Sequence, residues 1–466
     1  MEARKVTITW FEGALYVSPW VSLLEPELQF TLRKVNPASK EKVTYTEEKL
    51  YTPIEGGCMV STGMYERITS LLTKYGFAWE YAGHLRPRAA LMPEPVWSTD
   101  LTLRHRQEEA LSKITTAEFG GIIECCTAYG KSFLLTEVCR MYPTLNIVII
   151  SARQSVVKML HARLSEALSE RVGLLATGAK AVDAQCRVIV STCASAIKAP
   201  LATCDMVLFD EVHNLGGNQI AKLLLEGVHR ARMFGLTATL HRGDGAIKMI
   251  EALFGKTIMK VVYQEAVDNK MVVPMYFRMM EVPGARPLVS CNYDVIDKRR
   301  HFWQNHARND AIAKAARFYM PKGQILIMVE TLEHAAHLHK HLPEFTVVHY
   351  GAKTERAYGY NPDDYKITPK IKKQMAADFA AGTLRWVIST KVWAEGIDLP
   401  KLAVVIRADG SVSPIAAMQI PGRGSRLHAG KTHCMLIDFK DDFSPWSKSK
   451  AEKRRTMYLH EKWKEV

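Results

Sequence analysis

Short, nearly all-apolar runs recur along this chain, each about the length of one strand, with helical stretches between them. The first series is Gly121 to Cys125, Ile147 to Ser151, Val188 to Ser191, Met206 to Asp210 and Met233 to Leu236. The pattern restarts with Gln324 to Val329, Thr346 to His349, Trp386 to Ser389, Ala403 to Arg407 and Cys434 to Asp438. A strand without polar alternation is buried on both faces, as in a parallel sheet covered by helices. Two such series predict two consecutive doubly wound α/β domains, assigned to residues 98–262 and 263–445. Ahead of them, residues 1–97 read as a small α+β unit. Val6 to Trp10 and Leu15 to Val17 pattern as strands around a Glu12-Gly13 turn, and Met64 to Leu72 carries apolar residues at helical spacing. Pro87, Pro93 and Pro95 mark a linker, from which an independently folded N-terminal unit is expected. The polar stretch 353–370 reads as an insertion. Residues 446–466, with Lys448, Lys450, Lys453, Arg454, Arg455, Lys462 and Lys464, read as a basic helical tail.

Composition narrows the function classes. With 47% hydrophobic and 24% charged residues the chain has ample core-forming material. Its apolar runs are far shorter than a membrane span, so no membrane partner is expected. The opening Met-Glu-Ala-Arg-Lys turns polar again by Glu12, so a signal peptide is not expected and a cytoplasmic setting is. The cysteines form no C-x-x-C pair and lack histidines at ligand spacing, so no structural metal site is expected. Cys125 and Cys126 lie in an apolar stretch and read as reduced, buried thiols. No repeat of 20–50 residues is present, which excludes a solenoid. The net charge of +14 favours a polyanionic partner, because lysines and arginines bound to phosphates release counterions.

The chemistry concentrates in two places. The strand ending at Cys125 runs into Cys126-Thr127-Ala128-Tyr129-Gly130-Lys131-Ser132 and then an apolar helix. Strand, loop, Gly-Lys-Ser and helix form the context of a phosphate-binding loop. Backbone N–H groups of Thr127 to Ser132 would cradle the phosphates of ATP, Lys131 would reach the β- and γ-phosphates, and Ser132 would hold Mg²⁺. Cys125 stands where the first glycine of such a loop is usual. The apolar strand Met206 to Phe209 ends in Asp210-Glu211-Val212-His213. Asp210 is placed for Mg²⁺ and Glu211 for polarising an attacking water. A carboxylate pair at a strand end is also compatible with a solvated turn, but the loop upstream makes hydrolysis of a nucleoside triphosphate the better reading.

From residue 103 to 439 the chain resembles the superfamily 2 helicases, motif by motif and in order. Leu103-Arg104-His105-Arg106-Gln107 is similar to the segment whose glutamine reads adenine, here Gln107. Ile150-Ser151-Ala152-Arg153 and Ser191-Thr192 resemble the motifs that touch the nucleic-acid backbone. Gly235-Leu236-Thr237-Ala238-Thr239-Leu240 resembles the motif that links hydrolysis to strand movement. Ser389-Thr390-Lys391-Val392-Trp393-Ala394-Glu395-Gly396-Ile397-Asp398 and Gln419-Ile420-Pro421-Gly422-Arg423-Gly424-Ser425-Arg426 resemble the fifth and sixth motifs. The resemblance implies two tandem RecA-like parallel-sheet domains preceded by a small α+β domain. It implies nucleotide contacts from Gly396 and Asp398, and catalytic roles for Gln419, Arg423 and Arg426. His213, Thr237, Thr239, Arg242 and Asp244 would couple the two processes, and Ser151, Arg153, Ser191, Thr192 and Thr390 would contact DNA. Arg423 and Arg426, about one helical turn apart, suit a γ-phosphate held by the first domain, a role worth roughly 10³–10⁵ in rate in related enzymes.

Leu240-His241-Arg242-Gly243-Asp244-Gly245 resembles the XPB-like branch and phage recombination helicases of the UvsW type. A monomeric motor on branched, forked or single-stranded DNA is therefore expected, with residues 1–97 binding DNA. Ala128 and Tyr129 replace smaller loop residues of the family, and Gln419-Ile420 replaces its frequent Gln-Arg. A double-stranded DNA translocase without strand separation, an RNA helicase and a non-catalytic DNA-binding module are the competing readings. Trp303, beside Lys298-Arg299-Arg300, suits either base stacking or core packing.

Overall fold

The computed structural model describes residues 5–11, 13–35, 43–82, 92–98, 102–177, 181–215, 218–228, 231–238, 240, 245–291, 294–349, 360–390, 399–412 and 421–466. The chain divides into two compact units, one of Met1–Cys126 with Gly130–Val261, the other of Val262–Val466 with Thr127–Tyr129.

The first unit opens with β1 (Val6–Phe11), β2 (Ala14–Ser18), β3 (Gln29–Val35), β4 (Val43–Lys49), β5 (Tyr51–Ile54), β6 (Gly57–Ser61), α1 (Tyr65–Lys74) and β7 (Trp79–Tyr81). The sheet order is β5-β6-β2-β1-β7, and β3 and β4 pair separately as a two-stranded antiparallel ribbon. Alternation along β1 and β2 sends Val6, Ile8, Leu15 and Val17 inward, where they meet Ile68, Leu71 and Leu72 of α1.

There follow α2 (Gln107–Thr116), β8 (Gly120–Cys125), α3 (Lys131–Met141), β9 (Ile147–Ser151), α4 (Gln154–Ala167), β10 (Val172–Leu175), β11 (Val188–Thr192), β12 (Met206–Asp210), α5 (Asn218–Gly227), β13 (Arg232–Thr237), α6 (Ile247–Phe254) and β14 (Thr257–Val261). The strands form a seven-stranded parallel sheet in the order β10-β11-β9-β12-β13-β8-β14. Every residue of β9, β12 and β13 is buried, as their unbroken apolar runs require. Their polar residues stand at the strand ends: Ser151, Asp210 and Thr237 close them, and Arg232 opens β13. The Arg232 guanidinium donates to the carbonyls of Ile114, Thr115 and Ala117 at the end of α2, which supplies those orphan acceptors with a cation.

The N-terminal domain is not independent of this sheet, contrary to the expectation from the prolines. Its apolar cluster takes in Ala252 of α6 and Phe119. Ser61 Oγ donates to the Ala252 carbonyl. A Cβ on Gly63 would stand 2.4 Å from that carbonyl and 2.7 Å from Gly255 N, so only glycine permits the approach. Arg67 bridges Glu251 (3.3 Å) and Glu27 (3.1 Å), Lys256 pairs with Glu66, and Lys248 Nζ donates to the Gln29 carbonyl at 2.8 Å.

The second unit comprises α7 (Tyr263–Asp268), β15 (Met275–Met280), α8 (Asp294–Lys298), α9 (His306–Tyr319), β16 (Gln324–Met328), α10 (Leu332–His341), β17 (Thr346–Val348), α11 (Pro369–Ala381), β18 (Trp386–Ser389), β19 (Leu402–Arg407), β20 (Cys434–Phe439), α12 (Pro445–His460) and β21 (Lys464–Glu465). Its parallel sheet runs β17-β18-β16-β19-β20-β15-β21. One sequence reading is corrected here, and one left between two alternatives is decided. The segment read as a basic tail is structural: α12 buries Arg454 and Tyr458, and β21 adds a strand beside β15. Trp303 is buried, with the Arg299 guanidinium 5.6 Å from its ring centre, and is a packing residue rather than a stacking platform. Of the polar stretch 353–370, residues 353–359 lie outside the described residues, and α11 begins in its last part, with Thr368 accepting from Ile371 N.

Candidate active site

The loop between β8 and α3 is shaped by two left-handed residues, Ala128 (φ 71°) and Gly130 (φ 109°). Ala128 stands where the family favours glycine and still adopts the glycine conformation, at a cost of roughly 1–2 kcal/mol. At Gly130 the requirement is doubled, because a Cβ would also stand 2.8 Å from Gln107 Nε2. Gln107, buried at the start of α2, accepts from Arg104 N through Oε1 at 2.9 Å, so its amide is held behind the loop. Cys125, at the first-glycine position, is fully buried, and that burial pushes its thiol up to about 12. It is an inert packing residue. Lys131 and Ser132 then open α3, whose first backbone N–H groups suit an anion.

Sheet register brings the acidic pair alongside. Asp210 ends β12, buried, level with Ser151 on β9 and Leu236 on β13. Glu211 follows in a left-handed conformation, φ 54°, uncommon for a residue other than glycine. Its Oε1 lies 3.4 Å from Lys131 Nζ and its Oε2 3.3 Å from His213 Nδ1. His213 Nδ1 is also 2.8 Å from Thr237 Oγ1 at the end of β13. Burial alone would raise the Glu211 carboxyl, but the Lys131 ammonium and the His213 ring outweigh it and hold the carboxyl low. Burial likewise disfavours the Lys131 ammonium, and Glu211 overrides that effect and holds it above an ordinary lysine. Lys131, Glu211, His213 and Thr237 thus form one polar chain from the phosphate loop to the end of β13. Gly235 lets the chain after Glu211 lie close over β13, since a Cβ there would be 3.0 Å from Val212.

The next strands carry the expected nucleic-acid contacts at the same level, with Thr192 of β11 paired to Ser151 of β9. Thr192 accepts from Ser195 N at 3.3 Å, and Arg153 precedes α4; both are half-buried. Ser191 is fully buried and donates to the Thr192 carbonyl at 2.9 Å, so it offers no surface to a phosphate. Ser151 is buried as well, which leaves Thr192 and Arg153 as the accessible members of this group.

In the second unit Thr390 follows β18, its N–H bonded to the Val348 carbonyl at 3.1 Å. Pro421 to Arg426 forms tight turns, with Gly424 N on the Pro421 carbonyl (2.8 Å) and Arg426 N on the Arg423 carbonyl (3.3 Å). The Ser425 carbonyl accepts from Val273 N at 2.7 Å, and a Cβ on Gly424 would be 2.4 Å from Cys434 Sγ. Both arginines are half-buried. Thr239, Arg242, Asp244, Gly396, Asp398 and Gln419 lie outside the described residues. Among the described residues no group of three or more His, Cys, Asp or Glu is arranged to hold a metal ion, and no helix is long and apolar enough to cross a membrane.

Comparison with known proteins agrees with this geometry. Residues 100–242 match the family model for the type III restriction enzyme res subunit, and residues 309–428 that for the helicase conserved C-terminal domain. A Schizosaccharomyces pombe protein, irc3, named for mitochondrial ATP-dependent helicase activity, is 24% identical over 73% of this chain and 58% of its own length. The chain spans about half the length of the curated relatives it matches. A fragment assigned to the HsdR subunit of a type I restriction enzyme from Vibrio vulnificus has a TM-score of 0.54 at 14% identity, over 89% of this chain and 88% of that one. The crystal structure of T4 UvsW has a TM-score of 0.46 at 16% identity, over 99% and 98%. The two domain matches, in order and bracketing the phosphate loop, the acidic pair and the Arg423–Arg426 turn, place the chain in superfamily 2 of the ATP-dependent helicases.

Proposed function

We propose that this chain is an ATP-hydrolysing motor that translocates on DNA and unwinds or branch-migrates forks and junctions. The observation that carries the reading is the polar chain Lys131–Glu211–His213–Thr237. It joins a phosphate-binding lysine and a water-polarising carboxylate to the end of β13. The chain then leads into α6, on which the N-terminal domain is mounted. Lys131 answers the phosphate charge, Gln107 reads the base, and Glu211 orients the attacking water. The hydroxyl of Ser132 and the carboxylate of Asp210 are the hard oxygen donors Mg²⁺ favours and would hold it; when bound, it neutralises phosphate oxygens. Arg423 and Arg426 supply cations for the charge that develops in the transition state. Thr192, Arg153 and Thr390 hold one strand by its backbone, and that grip changes with the state of Glu211 through His213 and Thr237.

DNA as the track is supported by the net charge of +14 and by the Arg242–Asp244 segment, whose sequence resembles branch-migrating motors. The match to a restriction-enzyme res subunit favours a second reading, translocation on duplex DNA without strand separation. Strand displacement on forked and blunt duplexes, run beside ATPase assays with DNA and with RNA, separates the readings. Displacement of the forked duplex with DNA-stimulated turnover is expected. Turnover without displacement on any substrate would favour the duplex translocase, and stimulation by RNA alone would favour an RNA helicase.

A further inference from the structure

The turn that opens α2 is built on a residue its backbone does not favour. Gln107 N donates to the Arg104 carbonyl at 3.0 Å, and Arg104 N donates back to Gln107 Oε1 at 2.9 Å. The corner of that turn is Arg106, left-handed at φ 57°. Glycine takes this conformation without cost, whereas the Cβ of an ordinary side chain crowds the following carbonyl. In the site Arg106 shares it with Ala128 and Glu211. Strained backbone of this kind persists only where its surroundings over-determine it.

The surroundings of Arg106 act through its guanidinium. It forks onto Glu109, one turn along α2, with Nε at 2.6 Å and Nη2 at 3.0 Å. Those bonds hold the Glu109 carboxyl below its ordinary range, so both partners stay charged. Nη1 donates to the Lys260 carbonyl at 3.1 Å, near the end of edge strand β14. The next carbonyl along β14, that of Val261, accepts from Cys126 N at 3.3 Å, where β8 gives way to the phosphate loop. The Lys260 ammonium pairs with Glu124 of β8 at 3.0 Å. The turn carrying Gln107 and the entry to the phosphate loop thus hang on two successive carbonyls of one strand. A half-exposed ion pair contributes little to stability. What the arginine adds over glycine is the tie to β14.

An amide selects adenine by giving its oxygen to the 6-amino group and its N–H to a ring nitrogen, so its orientation decides the preference. Arg104 N fixes which end of the Gln107 amide is which, and Arg106 fixes the turn that carries both. We propose that Arg106 is a positioning residue for base recognition: by tying the start of α2 to the end of β14 it aims the Gln107 amide, and so sets the preference for adenine over a base without the 6-amino group. The inference rests on the reading of Gln107 as the residue that reads the base.

Arg106→Gly deletes the guanidinium and suits the left-handed backbone, so it removes the tie without straining the turn. On the full chain, kcat and KM are measured for ATP and for inosine triphosphate, whose base carries an oxygen in place of the amino group, beside Tm. The variant is expected to raise KM for ATP about tenfold, while kcat for both nucleotides and KM for inosine triphosphate stay within about twofold, as when an interaction of ground-state binding is lost. The kcat/KM preference for ATP then falls about tenfold, the effect of one misaligned hydrogen bond. Glu109→Gln, which keeps Arg106 but loosens its fork, is expected to lower the preference about threefold, and it decides alone if Arg106→Gly does not fold. Gln107→Ala is expected to erase the preference, and in that background Arg106→Gly should add nothing, because both act through one amide. Equal losses for the two nucleotides, or a lower Tm with the preference unchanged, would make Arg106 a brace of the fold only and overturn the proposal. Losses that multiply in the double variant overturn it too. An ATP preference that survives Gln107→Ala overturns the reading of Gln107, and the proposal with it. Turnover by the unmodified chain keeps each of these results distinct from a failure of the motor reading.

Discussion

At the scale of single residues, the proposed hydrolytic roles fall on groups that touch. Lys131 and Glu211 sit 3.4 Å apart, so each sets the other's charge. Lys131→Ala is expected to abolish hydrolysis, since the phosphates lose their cation, whereas Glu211→Gln should keep nucleotide affinity and lose turnover. Parallel titrations with a fluorescent ATP analogue and a phosphate-release assay check both, and normal turnover by Lys131→Ala would remove the assignment. These residues were legible in the sequence because Gly-Lys-Ser and Asp-Glu occur at strand ends, where a parallel sheet collects its polar groups. Less legible was the means by which Ala128 replaces a glycine, because only the backbone shows that it takes the left-handed conformation. The burial of Ser191 was hidden as well, since a serine at a strand end reads the same whether its hydroxyl faces solvent or a neighbouring carbonyl.

At the scale of elements, the strands found from sequence are those that are apolar up to their last residue, such as Ile147–Ser151 and Met206–Asp210. Those missed lie toward the sheet edges or alternate. Val172–Leu175 is an edge strand containing a glycine, and Met275–Met280 buries every second residue. The last helix was misread for an electrostatic reason. Its lysines and arginines looked solvated, yet Arg454 pairs with Asp438 and Asp441, which are remote from it in pattern though close in space. Truncation after Ser444 is therefore expected to strip Asp438 of its forked arginine and leave Asp441 with Arg308 alone, a loss of about 3–5 kcal/mol for one broken buried pair. Limited proteolysis should find the second unit open in the truncated chain, and full protease resistance there would contradict the assignment of α12 to its core.

At the scale of the whole molecule, the N-terminal domain shares a core with the first motor sheet rather than hanging from a linker. A chain beginning at residue 98 loses the cover over Ala252 and Phe119, and is expected to aggregate or to melt well below the full protein. A soluble truncated chain with unchanged Tm would contradict this. The proline-marked linker suggested independence because linker composition says nothing about what a neighbouring helix leaves exposed. The contacts run from Ser61, Gly63 and Arg67 to α6 and the residue that follows it.

The central claim, an ATP-driven motor selective for branched DNA, is tested most directly by ATP turnover of the full chain across single strands, linear duplexes, forks and four-way junctions at matched nucleotide concentration. Higher kcat/KM on forks and junctions than on linear DNA, with products of strand displacement or branch migration appearing only while ATP is consumed, is expected. Equal turnover on all four, or turnover with no change in any DNA structure, would contradict it.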